Sequence, residues 1–79
     1  MDAIVGQIQL FPFNFEMEGW MKCEGQTLNM QQYQLLFSLV SYTFGGGGTT
    51  FKLPDLKGKS PIPGLTYYIA YDGMYPRRP

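Results

Sequence analysis

A single cysteine, Cys23, and no histidine in a chain of 79 residues leave this sequence without a covalent or metal staple. Domains this small bury only about 60% of the surface their unfolded chain exposes, and most add disulfides, a metal or a partner to make up the stability. Cys23 has no second thiol to pair with, and one thiol cannot build a four-ligand zinc cage. Close packing or self-association has to supply the difference. Six tyrosines and six phenylalanines favour self-association, because so many rings are hard to hide in one thin core. The expectation is one domain over residues 1–79, a homo-oligomer that uses no cofactor.

Charge narrows the partners. Six basic and six acidic side chains cancel, so no net field draws in nucleic acid or an anionic membrane. Arg77 and Arg78 are the only like-charged neighbours, and they fall in residues 73–79, read as an extended C-terminal tail. No basic cluster opens the chain, and Gly6 and Gln7 interrupt its first apolar run, so no signal peptide is expected. No stretch approaches the ~20 apolar residues of a membrane span. The chain is expected to be made in the cytoplasm, without membrane insertion.

Periodicity supplies the elements. Ile4, Gly6, Ile8 and Leu10 alternate with Gln7 and Gln9, which predicts a half-buried strand ended by Pro12. Gly19 and Gly25 bracket residues 20–24, a second short strand or irregular stretch that pins Trp20 into the core. Asn29 is a good N-cap, and Gln32 three residues later completes a capping-box-like pair. Tyr33, Leu36, Phe37 and Val40 then recur at helical spacing, and the helix ends before Gly45. A second apolar stripe, Leu35, Leu39 and Tyr42, runs along the neighbouring face. One stripe meets the domain's own strands and the other is expected to meet a neighbouring subunit. "YYIAY" at residues 67–71 is a further strand, followed by a turn at Asp72 and Gly73. The predicted class is α+β: a small single domain with a few short strands packed on one helix.

Catalysis finds no foothold. Histidine, the commonest general base, is absent, and Cys23 has no partner to activate it; a small buried hydrophobe is the expected role. Glu16, Glu18 and Glu24 lack the spacing of a calcium loop, and Asp55 after Pro54 reads as a turn residue. The "GGGG" of residues 45–48 follows a helix instead of opening one and lacks the Lys-Ser/Thr of a phosphate loop, so it is a flexible or sharply turning connection. The aromatics matter more. Trp20, Tyr67, Tyr68, Tyr71 and Tyr75 either form a platform for sugars or a partner chain, or fill the core at alternate positions. Tyr68, Tyr71, Tyr75 and Arg77 are the candidate ligand or partner contacts; Leu35, Leu39 and Tyr42 are the candidate assembly interface.

Five phrases in fixed order carry a resemblance: "GQIQLF" (6–11), "GWMKCEGQTL" (19–28), "LFSLV" (36–40), "FGGGGTTFKLPDLKGK" (44–59) and "YYIAYDGMYP" (67–76). Together they resemble the phage tail collar domain family, which includes phage tail-fibre proteins and the bacterial proteins named microcystin-dependent. Met17 stands where the family usually has proline, Glu24 and Gly47 where it has aspartates, and Lys57 and Lys59 where it has arginines. The last exchange keeps the charge but loses bidentate geometry. A long, variable insertion that family members carry before the final strand shrinks here to "SPIPG", residues 60–64. The resemblance implies a non-enzymatic structural module of a tail fibre or a prophage-derived tail-like particle, located in the virion tail. It implies a trimer, contacts with other tail or fibre proteins, and, as an alternative, binding of a host-surface glycan. Within it, the "FKLPDLKGK" phrase is expected to be scaffold. Phe51 and Leu53 point inward, Pro54 and Asp55 turn the chain, and Lys57 and Lys59 sit at a rim or a subunit contact.

Overall fold

The computed structural model describes residues 3–13 and 15–76. Among them seven short elements follow in order: β1 (Ile8–Phe11), β2 (Trp20–Lys22), β3 (Thr27–Asn29), α1 (Gln34–Val40), β4 (Gly46–Gly47), β5 (Thr50–Lys52) and β6 (Thr66–Ala70). They make two three-stranded antiparallel sheets, ordered β1-β6-β2 and β3-β5-β4. The domain is mostly strand with one short helix, roughly in keeping with the α+β expectation. No helix among the described residues is long and apolar enough to cross a membrane.

One core joins the three layers. Leu36 and Val40 from α1 meet Val5, Met21, Cys23 and Ile69 from the first sheet's side and Phe51 and Leu53 from the second. Leu36 and Val40 lie four residues apart, the helical spacing that keeps both on one face. Phe51 and Leu53 are two apart on extended backbone, which turns both the same way. Cys23 is buried as the sequence implied.

The N-terminal strand is shorter than the alternation suggests. Gly6, at φ +87°, donates its N–H to Ala70 O, while Ala70 N–H donates to Gln7 O. Two residues on one strand thus face a single residue on β6, as in a β-bulge, and the extra residue inverts the alternation upstream. Val5, not Ile4, is buried; Ile4 is exposed. Downstream Ile8 stands opposite Ile69 and Leu10 opposite Tyr67, as the alternation predicts, but Ile8 is exposed at the sheet edge.

The helix is also shorter. Asn29 closes β3 while its Oδ1 accepts the N–H groups of Gln31 and Gln32 at 2.8 and 3.4 Å. The side chain caps as expected, but it caps a turn, and α1 begins only at Gln34. Met30 N–H donates to Thr49 O, which ties that turn to the second sheet and delays the helix.

The Pro54 and Asp55 pair does not turn the chain. Asp55 bridges Glu24 antiparallel, and Leu56 N–H donates to Cys23 O at 2.9 Å, so the phrase stays extended across both sheets. The turn comes at residues 57–58, where the Asp55 carboxylate accepts Lys57 N–H and Gly58 takes φ +74°. Of the two readings of residues 45–48, the sharp turn is the one found: Gly46 and Gly47 form β4, which turns directly into β5.

Candidate functional site

The strongest surface signal grows from α1. With Leu36 and Val40 committed to the core, the same helix displays Leu35 and Leu39 one turn apart on its outer face, 50% and 39% exposed. Beside them runs a ribbon made of the two chain ends. Ile4 and Met74 form a parallel bridge, closed by Val5 N–H to Met74 O and Met74 N–H to Ala3 O, each 2.8 Å. The ribbon touches the helix at two points. The Tyr75 hydroxyl lies 2.7 Å from Ser38 Oγ, and the backbone of Gly6 lies against Leu39 Cδ1, 3.5 Å from where a β-carbon would stand. Ile4, Met74 and Tyr75 are all exposed.

Sequence reasoning found Leu35 and Leu39 but missed Ile4 and Met74, because sequence distance hides a ribbon made of both ends. The two leucines of the predicted stripe are placed together. Tyr42 is exposed but sits past the helix end, beyond Ser41 at φ +54°. Its ring packs edge-on to Phe37 at 5.2 Å, and its hydroxyl donates to Gly48 O at 2.7 Å.

The tyrosines of the C-terminal strand separate by parity. Tyr67 and Tyr71 pack against the main core, on the same face as Ile69. Tyr68 faces the other way, and contrary to the expectation of an exposed contact residue it is wholly buried. Phe11 and Trp20 flank it from the two edge strands. Phe11 stands 5.6 Å edge-on to Tyr68 and 5.1 Å edge-on to Trp20. The Tyr68 hydroxyl donates to the carbonyls of Phe13 and Phe15 at 3.1 and 2.9 Å. Burial, then the charges of Glu16 and Glu24, raise the Tyr68 phenol above its ordinary pKa. Trp20, expected in the main core, belongs to this second aromatic layer and is half-buried. The layer continues outward as a stack from Phe11 to Phe13 to Phe15, whose ring is the most exposed of the three.

Tyr71 is held at both ends. Its N–H donates to Gly19 O at 2.9 Å, its hydroxyl accepts Gly19 N–H at 3.4 Å, and its ring meets Tyr33 edge-on at 5.5 Å. It lines a shallow groove beside the turn that leads into α1. Arg77 lies outside the described residues.

The chemistry of the remaining groups is quiet. Burial pushes the Cys23 thiol up to about 11, so at neutral pH it is a protonated, sheltered group and a poor nucleophile. Among the described residues, no group of three or more His, Cys, Asp or Glu side chains is placed to hold a metal ion. Lys57 and Lys59 are exposed, as expected of a rim. Lys22, Lys57, Glu24 and Ser60 border a second, smaller cavity of about 170 Å³ beneath that rim.

Compared with known families, residues 6–61 match the family described as the Phage Tail Collar Domain. No curated protein matches the chain.

Proposed function

Since the chain belongs to the phage tail collar domain family, a family of phage tail structural modules, we propose that it is a non-enzymatic assembly module of a tail fibre or a prophage-derived tail-like particle. In this reading it self-associates, as a trimer, through the outer face of α1, and so takes its place in the virion tail among other tail proteins. The observation that carries the reading is the exposure of Leu35 and Leu39 on α1 and of Ile4, Met74 and Tyr75 on the ribbon that touches it. Burying these side chains against copies of the domain adds apolar burial to the thin core of a 79-residue chain. The non-enzymatic part rests on the lack of histidine and on a Cys23 thiol held protonated.

Light scattering across a concentration series tests it. The parent chain is expected to hold a mass near three times the 9.0 kDa of one chain. Leu39→Glu, which places a charge in the middle of the face, is expected to give monomers or unfolded protein. A Leu39→Glu protein that keeps the parent's oligomer mass would defeat the reading.

A second reading, binding of a host-surface glycan through aromatic side chains, is supported at Tyr71, whose anchored ring borders an open groove. Tyr75, exposed and tied to Ser38, belongs to the apolar face instead. A glycan array probed with the full chain tests this reading as a whole.

A further inference from the structure

We propose that the groove between residues 31–34 and the Tyr71 and Asp72 pair is a site for a neutral saccharide. This rests on the second reading above and names its place and ligand class. The depression measures about 500 Å³, within the range of small-ligand sites, about 300–1,000 Å³. Three carboxamides, Gln31, Gln32 and Gln34, line it together with Tyr33, Leu35, Tyr71 and Asp72, and at Leu35 it meets the outer face of α1. Each carboxamide offers donors and an acceptor, and the carboxylate offers acceptors only. That is the pairing a sugar's hydroxyl groups need, since each hydroxyl both donates and accepts. Among the described residues, no hydrogen bond occupies the side-chain amides of Gln31, Gln32 or Gln34, and all three are exposed.

The lining is held in shape by its own hydrogen bonds. Asn29 Oδ1 accepts the N–H groups of Gln31 and Gln32 and so sets the turn that displays their side chains. Tyr71 is fixed by Gly19 at both its backbone and its hydroxyl, and Asp72 Oδ1 accepts Gly73 N–H at 2.9 Å. Preorganised polar groups lose less on binding. The two rings, perpendicular at 85°, add apolar surface for the C–H face of a pyranose. Charge decides the ligand class. Among the described residues no lysine or arginine lines the groove and one carboxylate does, so phosphorylated, sulfated and sialylated sugars meet repulsion there.

The test is an array carrying neutral hexose and N-acetylhexosamine oligosaccharides beside sialylated and sulfated ones. It is probed with the full chain and with the triple variant Gln31→Ala, Gln32→Ala, Gln34→Ala. These positions are exposed, so the variant is expected to melt with the parent, and a thermal scan confirms that both arms are folded. The expected result is binding to neutral glycans alone, weakened at least tenfold in the triple variant. Neutral-glycan binding that the triple variant retains in full overturns the groove while leaving the broader glycan reading standing. Binding confined to acidic glycans overturns the ligand class. A blank array overturns both.

Discussion

The two sheets of this domain share a strand count but hold their shape by different means. In the first, the central strand β6 is buried on both faces, with Ile69 toward the main core and Tyr68 toward an aromatic layer of Phe11 and Trp20. Side chains fix that sheet. In the second, β5 buries Phe51 on one face only, and its partner β4 consists of two glycines. Gly46 takes φ +103°, and a β-carbon there would stand 2.6 Å from Phe51 Cα and 2.7 Å from Thr50 O. Backbone shape fixes that sheet. A sheet held by side chains tolerates local backbone change and is sensitive to lost volume; a sheet held by glycine is the reverse at its edge strand.

Phe51 is where the two designs meet, since it is the second sheet's contribution to the shared core. Phe51→Ala is expected to cost about 3–5 kcal/mol, a large share of the stability of so small a domain. Urea denaturation should show loss of a cooperative transition. A Phe51→Ala chain that melts within about 1 kcal/mol of the parent would mean that the second sheet does not share the core. Gly46→Ala comes next: backbone strain alone costs about 1–3 kcal/mol, and the clash with β5 adds to it. Gly47→Ala is its control, with nothing within 4 Å of the added carbon and an expected change within about 0.5 kcal/mol. Equal effects at the two positions would break the argument from backbone shape. Leaving that control aside, the smallest effect belongs to the first sheet. Tyr68→Phe keeps the ring's volume and removes only the hydroxyl that two carbonyls share, at an expected cost of about 1 kcal/mol. If it cost as much as Phe51→Ala, the hydroxyl's bonds and not the ring would be holding that layer.

Much of this was legible in the residues. Phe51 and Leu53 could be placed because period-two burial survives a following proline, and Leu36 and Val40 because helical spacing marks a face. Leu35 and Leu39 followed as the other face of the same helix. The bulge at Gly6 was not legible: one inserted residue flips every inward position upstream, and a glycine in the run is its only trace. Tyr68 escaped because its partners Phe11, Phe13 and Phe15 lie more than fifty positions away in sequence. The Asp55 turn was misplaced for a similar reason. Its bridge to Glu24 keeps the phrase extended, and local turn preference loses to a distant partner. The groove was half visible, through Tyr71; the glutamines beside it follow no apolar period and became a lining only once the turn after Asn29 set them side by side.

The ribbon of the two ends has a mechanical consequence. At the bridge of Ile4 with Met74 the chain runs in the same direction through both positions, and Gly73 allows the closeness, since a β-carbon there would collide with the Ala3 carbonyl oxygen. A tether attached before Ala3 and another after Tyr75 would therefore pull in opposite senses along one axis. The bonds from Val5 N–H to Met74 O and from Met74 N–H to Ala3 O would be loaded in shear, sharing the tension, instead of being peeled apart one after the other. Strung between neighbours, the domain would behave as a bead whose own thread is clamped to itself, with those two bonds the first to bear the traction.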